Sequence, residues 1–217
     1  RFLLPLLQAG VAIDGVDASP EMLAACRQRV EALGLTAALY EQPLECLALS
    51  RQYGLAFVPA GSLGLIQPRA SLRASLRALR RHLAPGATLL VELLDTEAYE
   101  ADPSDLGSRF VDAGGGRRIR YAWRATHDAD IRPPRSPNRG SYELREADTL
   151  LAEESEKIVL TLYDSDEFID ELHEAGFADA HVVPATTEMS WLTESGCALY
   201  ECRVLRDNVD AHTRTPT

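Results

Sequence analysis

Asp17 is the residue whose type and position best suit chemistry. It closes the run Val11-Ala12-Ile13-Asp14-Gly15-Val16 and is followed by Ala18-Ser19-Pro20-Glu21-Met22. The pattern reads as a buried strand ending in an acid, then a turn, then a helix start. A carboxylate at the carboxyl end of the second strand of a nucleotide-binding βαβ unit can accept both hydroxyl hydrogens of a ribose diol. A purely structural reading stands beside it: an acid near a helix N-terminus, with Ser19 as cap and Pro20 at the first helical position. In the nucleotide-binding reading, a glycine-rich phosphate loop precedes the acid by about 20 residues. Counting back from Asp17 leads to Arg1, so the first strand and most of the glycine loop are expected to be missing from the sequence, with Arg1 as a remnant of that loop's end.

The elements needed to position Asp17 follow from hydrophobic periodicity. Phe2, Leu3, Leu4, Leu6, Leu7 and Val11 form a helical apolar stripe. Residues 20–33 read as a helix stopped by Gly34. Short strands are expected at 36–40 and 54–58, and an arginine-faced helix at 69–83. A Pro85-Gly86 turn leads into an apolar strand at 87–94. This alternation predicts an α/β fold with a doubly wound, mostly parallel Rossmann-like sheet. Between 108 and 163 the rhythm changes to an antiparallel β insertion, with strands at 117–126, 141–149 and 157–163. Residues 131–140 are rich in proline and polar residues and read as a loop. A helix at 165–175 stops at Gly176. Strands at 178–184 and 197–205 finish the fold, the last one antiparallel. Residues 1–205 form one expected domain, and 206–217 read as a flexible tail.

Composition sets the outer bounds. The chain has 217 residues, 46% of them hydrophobic, enough for a packed core. Its formal net charge is −11, which argues against binding a nucleic-acid backbone. Arg69, Arg73, Arg77, Arg80 and Arg81 recur at helical spacing and read as a solvated helix face. No apolar stretch is long enough to span a membrane. Cys26, Cys46, Cys197 and Cys202 show no CxxC spacing and the histidines are scattered, so no metal site is expected. Free thiols suit a reducing cytoplasm.

Taken in order, five segments resemble the class I S-adenosylmethionine-dependent methyltransferases. Val16-Asp17-Ala18-Ser19-Pro20-Glu21-Met22 is similar to the family's strand-two motif. Tyr40-Glu41-Gln42-Pro43-Leu44 stands where the strand-three loop frames the adenine. Phe57-Val58-Pro59-Ala60-Gly61-Ser62 matches the strand-four end beside the methionine part. Leu83-Ala84-Pro85-Gly86-Ala87 resembles the turn before strand five, and Leu172-His173-Glu174-Ala175-Gly176-Phe177 the late "L-x-x-A-G-F" helix ending. The resemblance implies S-adenosylmethionine as cofactor. It implies Asp17, Ala18, Met22, Gln42, Pro43, Leu44, Pro59, Ala60 and Gly61 as the residues that hold it. Pro43 departs from the family, where many members carry an acid. Gln42 or backbone groups near Leu44 are then left to meet the adenine amine.

The resemblance implies a small-molecule methyl acceptor, attacked through N or O by in-line transfer, and names no fixed catalytic residue. Candidates lining the acceptor side are Ser62, Glu92, Trp123, His127 and Tyr142, with the 108–163 insertion covering them. Glu92, in the strand-five run, could take a proton, or could pair with an arginine at an edge. Two other readings remain open: a non-catalytic binding or regulatory module on the same fold, and a nicotinamide-dependent oxidoreductase, which shares the ribose-binding acid. No membrane or nucleic-acid partner is expected.

Overall fold

A computed structural model describes residues 2–94, 108–125, 135–189 and 196–205. The chain opens with helix α1 (Leu3–Gln8), strand β1 (Gly15–Asp17), helix α2 (Pro20–Ala32) and strand β2 (Leu39–Glu41). Ser19 caps α2 as its sequence predicts: its Oγ accepts the Met22 amide at 3.1 Å, with Pro20 at the start. The helix ends in a Schellman motif, the Leu35 amide bonding the Val30 carbonyl and Gly34 taking φ +64°.

β1 and β2 pair in parallel as a two-stranded sheet. A second sheet has the order β3-β4-β10-β9, where β3 is Tyr53–Val58, β4 Leu83–Leu94, β9 Ala178–Val182 and β10 Cys197–Arg203. β3 and β4 run parallel, while β10 is antiparallel to both β4 and β9. The expected continuous sheet is thus divided: among the described residues no strand pairs with both β1 and β3. The expected C-terminal antiparallel strand is present as β10.

Asp14 joins the two sheets. Its carboxylate accepts the Ala38 amide ahead of β2 at 3.1 Å and the Tyr53 hydroxyl of β3 at 2.7 Å, and it pairs with the Arg51 guanidinium. Burial alone would raise the Asp14 pKa. The hydrogen bonds from Arg51, Tyr53 and the Ala38 amide, with the Arg51 charge, outweigh that and hold the carboxyl below its usual range. The Tyr53 amide also bonds the His82 carbonyl just before β4 at 2.9 Å. The starts of β1, β2, β3 and β4 therefore lie at one end of the core, and their carboxyl ends point the other way.

The core forms where helix α3 (Arg69–Arg81) and helix α4 (Ser165–Glu174) meet β4 and β10. Leu72 and Leu76 of α3, Leu89, Val91 and Leu93 of β4, Phe168 and Leu172 of α4 and Tyr200 of β10 are fully buried. Burying each such side chain contributes about 1.5–3 kcal/mol. The Phe168 ring meets Tyr200 edge-on, with centroids 4.8 Å apart. Gly176 takes φ +90° after α4, and the Phe177 amide returns to the Leu172 carbonyl, so Phe177 is buried as the helix ending predicts.

Several expectations are corrected. The arginines of α3 are not simply a solvated face. Arg73 grips the Glu171 carboxylate of α4 with Nε at 2.7 Å and Nη2 at 3.0 Å, Arg69 pairs with Glu171 and Glu167, and Arg80 bonds the Gly176 carbonyl. Glu171 is buried, which charges tolerate only when paired. Burial raises its pKa, but the hydrogen bonds and charges of Arg73 and Arg69 prevail and lower it. Helix α3 stops at Arg81, short of residue 83, and the Pro85-Gly86 turn lies within β4 as a register shift. The strand expected at 36–40 begins only at Leu39.

The insertion is a four-stranded antiparallel sheet: β5 (Ser108–Gly114), β6 (Arg117–Ala125), β7 (Arg135–Glu146) and β8 (Thr149–Thr161). Residues 135–140, read as loop, belong to β7. Pro137 pairs with Val159 of β8, one residue beyond the last described β6–β7 pair, Ala125–Asn138. Residues 150–156, Leu-Leu-Ala-Glu-Glu-Ser-Glu, show no alternating strand pattern and are held by pairing with β7. The tail 206–217 lies outside the described residues. No described helix is long and apolar enough to cross a membrane.

Replacing Asp14 with Asn or Glu171 with Gln should each lower the unfolding free energy by about 1–3 kcal/mol. Because both pKa values are depressed, the stability these carboxylates supply is present above the unfolded carboxylate range and is lost as pH falls through the folded values. Denaturant titrations from about pH 6 to about pH 3 should show a shallower loss of stability in the double variant than in the wild type. Parallel curves would refute the assignment.

Candidate active site at the carboxyl ends of the strands

Asp17 ends β1 at the carboxyl end of the core and is exposed. One carboxylate oxygen accepts the Ser19 amide at 2.9 Å, an Asx turn that fixes the side chain against the start of α2. The structural and binding readings of this acid are therefore compatible: one oxygen orders the turn while the carboxylate still faces outward. Ala18 and Met22 flank it, and the Met22 side chain is 62% exposed, unusual for a large apolar group with no role in a core.

The main chain joins Asp17 to the next loop, since the Gln42 amide bonds the Asp17 carbonyl at 3.0 Å. The Gln42 side chain then turns inward. Its Oε1 accepts the Ala48 amide at 2.7 Å, and its Nε2 donates to the Ala48 carbonyl at 3.2 Å. This bidentate bond closes the 42–48 loop around the short 3-10 turn Leu44–Cys46. Gln42 thus shapes the loop from within. Pro43 and Glu45 stay exposed on it, and Leu44 packs partly against the core.

After β3 the chain makes a tight turn through Pro59, Ala60, Gly61 and Ser62. Ala60 takes φ +57° and Gly61 φ +66°, consecutive left-handed residues of which only glycine adopts that shape at no steric cost. Glu92, buried in β4, holds both. Its Oε2 accepts the Ala60 amide at 2.8 Å, and its main-chain carbonyl accepts the Gly61 amide at 3.1 Å. Neither sequence reading of Glu92 anticipated this, because a carboxylate contact to a backbone amide 32 residues away leaves no local pattern. The Ser62 hydroxyl donates to the Pro59 carbonyl at 2.7 Å, closing the turn.

The remaining candidates stand on the insertion. Tyr142 lies on β7 opposite Tyr121, and its hydroxyl donates to Glu156. Burial, then the Glu156 carboxylate, push the phenol up to about 12, so Tyr142 is a donor at neutral pH. Trp123 falls on β6 opposite Gly140. His127 lies outside the described residues. The insertion meets the site through β8. A Cβ on Gly64 would stand 3.0 Å from the Thr161 carbonyl oxygen, and Gln67 Nε2 donates to the Val159 carbonyl at 3.3 Å. Gly64 lies two residues after the 59–62 turn, and nothing in the sequence marks its closeness to β8.

Gln42→Ala should free the Ala48 amide and lower the local opening energy by about 1 kcal/mol, seen as faster hydrogen exchange at Ala48 with little change in global unfolding. Unchanged exchange would show that the loop is held by other contacts.

Residues 1–86 match the family model of the methyltransferase domain. No curated protein is similar enough in sequence to match. Among solved structures, the chain is similar to DesVI of Streptomyces venezuelae, with 18% identity and a TM-score of 0.71 over 89% of this chain and 74% of that one. It is similar to a sugar N-methyltransferase from a Streptoalloteichus species, at 21% identity and TM-score 0.70, covering 89% and 71%. It is also similar to a structure with bound S-adenosylmethionine, the amino pentose methyltransferase of calicheamicin biosynthesis from Micromonospora echinaspora, at 21% identity and TM-score 0.67, covering 88% and 72%. The first 86 residues thus resemble a methyltransferase domain in sequence, and the chain has the fold of these S-adenosylmethionine-dependent methyltransferase structures.

Proposed function

We propose that this chain is an S-adenosylmethionine-dependent methyltransferase that transfers a methyl group to a nitrogen or oxygen nucleophile of a small molecule, with an amine as the first acceptor to test. The observation that carries the reading is Asp17: an exposed carboxylate at the carboxyl end of a parallel strand, at the end of the core where the Pro59–Ser62 turn also lies. The amine preference rests on the likeness to sugar and amino pentose methyltransferases.

The residues present fit the cofactor's chemistry. An outward carboxylate suits a ribose diol, and the Asx turn holds it ready at little entropic cost. Ala18 and Met22 offer apolar surface beside it. Pro43 and Leu44 would border the adenine, with recognition of its amine left to backbone groups, because the Gln42 amide is engaged by Ala48. Pro59, Ala60 and Gly61 would border the methionine part. When bound, the cofactor supplies a methyl group on a sulfonium, which an acceptor lone pair takes in line as the carbon–sulfur bond breaks toward sulfur. The protein's share is placement and exclusion of water. Ser62, from the core, and Trp123 and Tyr142, from the insertion, are proposed to line the acceptor side; His127 lies outside the described residues. The Tyr142 hydroxyl, whose proton is held by Glu156, would present its oxygen as a hydrogen-bond acceptor. An acceptor amine that is protonated in solution must lose that proton to expose its lone pair, a neutral one loses a proton after transfer, and no residue is assigned as the base.

Calorimetric titration with S-adenosylmethionine and S-adenosylhomocysteine should give micromolar binding. Asp17→Ala should weaken it by about tenfold to a hundredfold, the loss of two charge-assisted hydrogen bonds. Binding that is absent in the folded protein would favour the non-catalytic module, and NADH binding instead would favour the oxidoreductase. Transfer of labelled methyl to a panel of amino sugars would then establish the acceptor class.

A further inference from the structure

Glu92 touches the site in a way that neither proton transfer nor an edge ion pair explains. It is 5% exposed at the end of β4. It holds consecutive residues of another strand's turn by two different groups, its carboxylate on the Ala60 amide and its carbonyl on the Gly61 amide. Those two residues have left-handed backbone, and an alanine in that region persists only when its surroundings over-determine it. The turn then continues without slack. The Gly64 amide bonds the Gly61 carbonyl at 2.8 Å, Gly64 is buried, and a Cβ there would stand 3.0 Å from the Thr161 carbonyl oxygen, closer than ordinary van der Waals contact. Gln67 adds a second tie to β8 at Val159. One buried carboxylate, a strained turn and the near edge of the insertion sheet are therefore linked by successive close contacts.

We propose that Glu92 is a positioning residue: it holds the Pro59–Ser62 turn in its left-handed shape and, through the 3-10 turn Ser62–Leu65, sets the β8 edge of the insertion against the cofactor end of the core. The proposal rests on the methyltransferase reading for the role of that turn. What Glu92 supplies is a hydrogen-bond acceptor at a fixed point. An amide oxygen in the same place can replace it, whereas a base could not be replaced in this way.

Three proteins test this: the wild type, Glu92→Gln and Glu92→Met, the last keeping the volume but removing the acceptor. Hydrogen exchange is read at the Ala60 and Gly61 amides without ligand, and S-adenosylhomocysteine affinity is read by calorimetry. In Glu92→Gln both should stay within about threefold of wild type. In Glu92→Met exchange at Ala60 should quicken about tenfold or more and affinity should fall about tenfold, while core amides of β10 keep their protection. Adding Ala60→Gly to Glu92→Met should recover part of the affinity, since glycine adopts φ near +57° without the steric cost. The proposal is overturned if Glu92→Met exchanges at Ala60 as slowly as wild type, or if Glu92→Gln is as damaging as Glu92→Met. Should Glu92→Met fail to fold, Ala60→Gly/Glu92→Met carries the same comparison with Glu92→Gln. A wild-type protein that binds no S-adenosylhomocysteine would sink the cofactor reading and leave the exchange data to decide the role of Glu92.

Discussion

The geometry of this molecule depends on one carboxylate at the end of the core opposite the site. Asp14 bonds the entry to β2, the first residue of β3 and the Arg51 side chain just before it, while its own main chain leads into β1. Its side chain is 8% exposed, so its donors, not water, must satisfy it. Among the described residues β1 and β3 share no ladder, and Asp14 sets their starts level. Three short strands anchored together at their amino ends have their carboxyl ends directed to one side. Asp17 and the Pro59–Ser62 turn lie at that side for this reason.

Each segment at the carboxyl end is shaped by a side chain that turns back onto the backbone. Asp17 takes the Ser19 amide, Gln42 takes both backbone groups of Ala48, Ser62 takes the Pro59 carbonyl and Glu92 takes the Ala60 amide. Loops over a ligand-binding face cannot rely on sheet ladders to satisfy their polar groups, so side chains do it. The consequence for chemistry is preorganisation. Positions that must approach a ligand are held by bonds that exist before the ligand arrives, which lowers the ordering cost of binding.

The insertion meets the core through β8, where Gly64 packs against Thr161 and Gln67 bonds Val159. The Gly64 contact is a close backbone approach, in which a Cβ would stand 3.0 Å from the Thr161 oxygen. Separately, the α3–α4 clamp on Glu171 closes the core beside β4, and its buried charge must keep its partners.

Local rules made much of this legible in the sequence. The α2 start at Ser19-Pro20, its stop at Gly34, the α4 ending at Gly176-Phe177 and the apolar β4 are all written in a few adjacent residues, because capping and left-handed stops act within one turn of chain. Asp17 was legible as a candidate for the same reason. The roles of Glu92, Gln42 and the α3 arginines were not, since their partners lie 6 to 102 residues away and any solvated acid, amide or arginine has the same local signature. Likewise Pro137 and the 150–156 stretch became strand only through their neighbours in β8 and β7. What the sequence determined by itself is where the capped helices α2 and α4 begin or end and which acid ends β1. Only the tertiary structure decided which polar side chains are spent on holding backbone, because a hydrogen bond between distant segments exists only once the chain has brought them within 3 Å.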